Sequence, residues 1–80
     1  MIMTDISISP DLWAGIILPE GILEHWRVAD GCQVAEGAVI AEVRIEDALH
    51  EIVAPAGGRL TKQARLNEII TPGSVIGKIT

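Results

Sequence analysis

The sequence predicts an all-β fold, a pseudo-two-fold β-sandwich, and three observations carry that expectation. The first is an internal repeat: Gly37-Ala38-Val39-Ile40-Ala41-Glu42-Val43 matches Gly73-Ser74-Val75-Ile76-Gly77-Lys78-Ile79 at a separation of 36 residues, and Val34 maps to Ile70 at the same spacing. Gly21-Ile22-Leu23 matches Gly58-Arg59-Leu60 at 37, so one residue is gained or lost within the repeat. Two similar halves imply two similar sheets, each with an apolar face that the other must cover. The second is alternation: in the segment from Val39 to Ile45, Val39, Ala41, Val43 and Ile45 are apolar while Glu42 and Arg44 are charged, the period of a half-buried strand. The third is punctuation. Turn signals at Pro19-Glu20-Gly21, Asp30-Gly31, Glu36-Gly37, Pro55-Ala56-Gly57-Gly58 and Pro72-Gly73 leave no stretch for a capped amphipathic helix of ordinary length.

Taken in order, residues up to Ser9 either join a strand through Ile6 and Ile8 or fray. Trp13, beside Pro10-Asp11-Leu12, either covers an open edge or stays exposed as a docking anchor. Trp26 fills core with a polar edge. The segments on either side of Glu46-Asp47 form a hairpin in which Ile45 faces Ala48, Val43 faces His50 and Ala41 faces Ile52. That register sets Glu42 against Glu51, a like-charge contact that Arg44 is expected to relieve by reaching diagonally to Glu51. Gly57-Gly58 marks the sharp crossing between the halves rather than a phosphate loop, since no helix start or Lys-Ser/Thr follows. The count comes to six to eight short strands.

Composition bounds the function. Eighty residues, 49% of them hydrophobic, make one small domain over 1–80, with 1–9 the part open to fraying. A formal charge of −5 argues against nucleic acid or an anionic membrane as partner, because both demand a basic patch. Ile16-Ile17-Leu18 is far too short to cross a bilayer, and Met1-Ile2-Met3-Thr4-Asp5 lacks the positive start of a secretory signal, so a cytoplasmic protein is expected. The single cysteine, Cys32, fits a reducing compartment as a small packed side chain. His25 and His50 have no metal-ligand spacing, and Ser7, Ser9 and Ser74 sit in no nucleophile motif. Neither a metal site nor an independent enzyme is expected.

One ordered set of residues resembles a known family. Gly21-Ile22-Leu23-Glu24-His25-Trp26-Arg27-Val28-Ala29-Asp30-Gly31, Val34, Gly37, Val39-Ile40-Ala41-Glu42-Val43, Glu46-Asp47-Ala48, Glu51-Ile52, Ala54-Pro55, Gly57-Gly58 and Pro72-Gly73 together are similar to the biotinyl/lipoyl attachment domains, on the branch of the lipoyl domains of 2-oxoacid dehydrogenase acyltransferases. The similarity spans residues 18 to 80. It implies a flattened barrel of two four-stranded sheets, with a modified lysine in a tight turn, typically an Asp-Lys-Ala triplet. Glu46 takes the place of that aspartate, Asp47 of the lysine and Ala48 of the alanine.

The departure at Asp47 governs the chemistry the resemblance implies. Lipoylation and biotinylation form an amide on a lysine amine, and a carboxylate cannot be acylated in that way. The Met-Lys-Met tip of biotin carriers is missing as well, and the lysines that exist, Lys62 and Lys78, are expected away from any tip. The resemblance therefore implies a lipoyl-like binding module without a cofactor, whose tip of Glu46, Asp47 and Ala48 meets a protein partner such as a dehydrogenase, acyltransferase or carboxylase component. The alternatives are a genuine lipoyl or biotinyl carrier, one that uses a non-standard attachment residue or is a fragment of an acyltransferase, and a subunit that only caps or spaces a larger complex.

Overall fold

In a computed structural model describing residues 3–80, the chain forms eight strands and one short 3-10 turn. The strands are β1 (Thr4–Ser7), β2 (Gly21–Trp26), β3 (Gln33–Val34), β4 (Val39–Ile45), β5 (Ala48–Val53), β6 (Gly58–Lys62), β7 (Ile69–Ile70) and β8 (Val75–Ile79). They build two four-stranded antiparallel sheets, ordered β1-β8-β6-β3 and β5-β4-β2-β7. The sheets stay open at their edges, so the result is a flattened sandwich and not a closed barrel. All-β architecture and the two-sheet arrangement agree with the sequence expectation.

Position by position the sheets are equivalent: β5 corresponds to β1, β4 to β8, β2 to β6 and β7 to β3. The loop hydrogen bonds repeat with them. Arg27 N–H donates to the Ile40 carbonyl as Ala64 N–H does to that of Ile76, and Leu23 N–H donates to Glu68 as Leu60 N–H does to Cys32. Asn67 N–H reaches the Leu23 carbonyl as Gly31 N–H reaches that of Leu60. Gly31 and Asn67 both have positive φ, 80° and 67°, a conformation that glycine adopts freely and asparagine tolerates better than most residues. Because Arg27 matches Ala64 and Gly31 matches Asn67, the length change in the repeat falls between these pairs, where Val28-Ala29-Asp30 stands opposite Arg65-Leu66.

The inner faces close over one core that includes Ile6, Leu23, Ile40, Val43, Ile45, Leu60, Ile70, Ile76 and Ile79. Burying one such side chain contributes roughly 1.5–3 kcal/mol. Simple alternation would not bury Ile40 together with Ala41. The β4–β5 register shifts between Val39 and Ala41, leaving Ile40 without a direct partner, and the β1–β8 pairing skips Ile76 in the same way. Both isoleucines are fully buried.

The N-terminal segment, open to fraying on sequence grounds, holds β1 along β8, with Ile6 and Ile8 buried. Residues 1 and 2 lie outside the described residues. Trp13 is not an exposed anchor. Ser9 and Pro10 start the 3-10 turn Pro10–Trp13, with the Ser9 hydroxyl accepting from Asp11 N–H, and the turn buries the indole, whose Nε1 donates to the Glu20 carbonyl at 3.3 Å. Trp26 is half-buried, with Nε1 donating to the Ala64 carbonyl at 3.1 Å. At Gly57-Gly58 the chain passes from the β5 sheet to the β6 sheet, and a Cβ on Gly58 would stand 2.5 Å from the Thr80 carbonyl oxygen.

Among the described residues no helix is long and apolar enough to cross a membrane, which says nothing of spanning by strands.

Candidate functional site

The β4–β5 hairpin has the register expected for a two-residue loop: Ile45 opposite Ala48, Val43 opposite His50, Glu42 opposite Glu51 and Ala41 opposite Ile52. A loop this short requires positive φ at its first residue, and Glu46 supplies it at 53°. Glu46, Asp47 and Ala48 are all exposed. The tip thus projects two carboxylates, and neither belongs to the ion pairs of the described residues, Arg27–Glu42 and Arg44–Glu24.

Those ion pairs correct one expectation. Arg44 does not reach Glu51: its Nε donates to Glu24 Oε2 at 3.0 Å across the other side of β4. Glu42 is held instead by Arg27, whose Nε and Nη2 donate to its two oxygens at 3.1 and 2.8 Å. The reason is that β4 is an inner strand with two neighbours. β2 brings Glu24 beside Arg44, and the chain just after β2 brings Arg27 over Glu42. Nor is Glu42 the open strand-face charge that alternation suggests, since it is only 8% exposed. The Arg27 hydrogen bonds hold its carboxyl below the ordinary value, against the opposing pull of burial. The same bonds raise Arg27, whose ion pair is with Glu42 and not with Glu51.

Beside the tip lies a groove of about 230 Å³ between Leu18, Glu20, Ile22, Arg44, Glu46 and Ile69. Sequence reading did not find it. The available signal was the mismatch inside the repeat, apolar Ile22 against charged Arg59 and apolar Ile69 against polar Gln33.

The two lysines lie elsewhere. Lys62 ends β6 with its Nζ 5.2 Å from the centre of the Trp26 ring, a cation–π contact, and Lys78 sits within β8 between Asp5 and Thr61. His25 is exposed on β2, His50 is half-buried on β5 and Cys32 packs against the core. Ser74 accepts from Thr71 N–H at 2.8 Å and so serves its own turn. No group of three or more His, Cys, Asp or Glu among the described residues is gathered to hold a metal ion. Chemically, the tip can accept hydrogen bonds and ion pairs, and the adjoining groove can receive an apolar side chain.

No protein-family model matches the chain, and no curated protein matches it either.

Proposed function

We propose that this chain is a lipoyl-domain-like binding module that carries no lipoyl or biotinyl group and acts as an accessory or regulatory partner of a 2-oxoacid dehydrogenase-type or biotin-dependent complex. The observation that carries the reading is Asp47: the exposed tip of the β4–β5 hairpin bears a carboxylate where the resembling family bears its acylated lysine. Acyl transfer to that position lacks the amine it needs. Glu46 and Asp47 instead present negative charge where a partner enzyme would meet a swinging arm. The locations of Lys62, against Trp26, and Lys78, within a strand, favour this reading over a carrier with a displaced attachment point.

The test is Asp47→Lys. An exposed turn substitution usually changes stability by within about 0.5 kcal/mol, so the variant should fold. A lipoate ligase should add a lipoyl mass to it and leave the native chain untouched. Glu46→Asp in addition should raise the yield if the ligase reads the preceding residue. A folded Asp47→Lys protein that gains no mass, with or without Glu46→Asp, would refute descent from a carrier by loss of the lysine. A lipoyl or biotinyl mass on native protein from its host would refute the unmodified state.

A further inference from the structure

The outer face of the β5-β4-β2-β7 sheet carries a row that crosses all four strands. Leu49 stands opposite Arg44, Arg44 opposite Ile22 and Ile22 opposite Ile69. Leu49 is 45% exposed, Ile22 41%, Ile69 62%, and Leu18 beside them 62%. Single exposed aliphatics are ordinary, but Leu18, Ile22 and Ile69 line one groove together, with Leu49 on the far side of Arg44, and such a grouping marks a contact surface.

The fold does not require this apolar row. The repeat-related counterparts of Ile22 and Ile69 are Arg59 and Gln33, which face each other in the same way across β6 and β3. The same backbone position therefore accepts a polar pair. At about 230 Å³ the groove lies below the usual range for a drug-sized ligand and suits a single bulky side chain.

Its rim is acidic. Glu20 and Glu46 line it and Asp47 adjoins it, while its one cation, Arg44, is already neutralised by Glu24. A second copy laid face to face would bring these carboxylates together in a chain of charge −5, so charge disfavours self-association.

We propose that this face docks an extended segment of a partner protein, in which an aliphatic or aromatic side chain enters the groove and flanking lysines or arginines meet Glu20, Glu46 and Asp47. The proposal rests on the reading of the chain as a docking module and names the chemistry of its partner.

The test is titration of the isotope-labelled chain with two synthetic peptides, one of alternating leucine and lysine and one of alternating leucine and glutamate, followed by amide chemical shifts. The lysine peptide should give saturable shifts at Ile22, Arg44, Leu49 and Ile69 that weaken as salt is raised. Ile22→Arg with Ile69→Gln, which copies the pair already present in the other sheet, should weaken binding at least about tenfold. Ile69→Gln alone is the milder variant if the double one fails to fold by circular dichroism.

Shifts confined to Glu46 and Asp47 and indifferent to these substitutions would overturn the groove while leaving a docking tip intact. Equal binding of the glutamate peptide, or no shift with either peptide, would overturn the proposed chemistry. Sedimentation showing a dimer that the double substitution dissolves would assign the face to a second copy instead. None of these outcomes depends on whether Asp47→Lys accepts lipoate, so the two ideas fail separately.

Discussion

The two sheets share one backbone plan yet present opposite outer faces. Across β1, β8 and β6 the outward row is Asp5, Lys78 and Thr61, with Arg59 and Gln33 paired at the far edge. Across the other sheet the corresponding far-edge pair is Ile22 and Ile69, next to Arg44 and Leu49. Their inner faces show no such difference: Leu23 and Leu60, Ile40 and Ile76, and Val43 and Ile79 are repeat-related pairs, all buried. Packing holds the inner positions to similar shapes, because a mismatch there opens a cavity or forces overlap. Outer positions are free to diverge, so what distinguishes the halves is concentrated outside. Both ion pairs of the described residues also lie on the β5-β4-β2-β7 side.

The largest expected effect tests how far the equivalence extends into the backbone. Gly21 and Gly58 are repeat partners that open β2 and β6. A Cβ on Gly58 would stand 2.5 Å from the Thr80 oxygen and 2.8 Å from Ile79 Cγ2, at a φ of 150° that side chains rarely adopt. On Gly21 it would approach the Arg44 oxygen and Ile45 Cγ1 at 3.0 Å, with no unusual φ. Gly58→Ala should therefore cost about 3 kcal/mol or more, and Gly21→Ala about 1–2 kcal/mol. Urea denaturation midpoints read the difference. Equal losses would mean that the crossing between the sheets is no tighter than the start of β2.

The same comparison explains what could be read from the sequence. Two-sheet architecture was legible because the repeat and the period of two are local signals, and the β4–β5 register followed from a two-residue loop with little freedom. The pairing of Arg44 was not legible, because hairpin logic supplies only one neighbour of β4. Its other neighbour, β2, arrives by a long-range contact. That neighbour is also irregular: its register against β4 shifts between Leu23 and His25, whereas β6 against β8 runs without a break from Leu60–Ile79 to Lys62–Gly77. Ala41 and Gly77 are repeat partners, and a Cβ on Gly77 would stand 2.7 Å from the Thr61 oxygen. The half with alanine carries the bulge and the half with glycine does not. The 3-10 turn had a signal, Ser9-Pro10, an N-cap followed by a proline suited to the first helical position. The groove at the tip was the harder miss, because Leu18, Ile22 and Ile69 come together only through the β2–β7 pairing.

A second prediction concerns the charge asymmetry between the sheets. Glu42 has a folded-state pKa below its ordinary value of 4.5 because Arg27 donates two hydrogen bonds to it. A depressed carboxylate contributes stability that is present above the unfolded value and is lost as pH falls through the folded one. Acidification below about pH 4.5 should therefore lower the unfolding temperature in part through this pair. Arg27→Met removes the donor and leaves burial opposed only by the smaller pull of His25, so the Glu42 carboxyl moves back up from its lowered value. The variant should be less stable at neutral pH, and its unfolding temperature should fall less on acidification than that of the parent. Parallel pH profiles for the two proteins would show that the pair is only a surface contact.

The smallest effect belongs to the tip. Glu46 holds φ at 53°, a region that costs an ordinary side chain roughly 1–2 kcal/mol and that asparagine enters more readily. The repeat supplies its own precedent, since Asn67 occupies positive φ at 67° where the other half uses Gly31. Glu46→Asn should therefore stabilise the chain by a few tenths to about 1 kcal/mol, with the gain arising from backbone preference alone, because Glu46 belongs to no ion pair of the described residues. Glu46→Gln separates charge from conformation: it removes the carboxylate, keeps the shape and should leave stability nearly unchanged. Under the docking proposal both variants should weaken binding of the lysine-bearing peptide, since each removes an acid from the groove rim. A gain in stability together with a loss of binding would show the strained glutamate to be kept for contact and not for folding. If Glu46→Asn gains nothing, the hairpin bears no strain at that residue, and if binding survives both changes, the acidic rim of the groove lies in Glu20 and Asp47 alone.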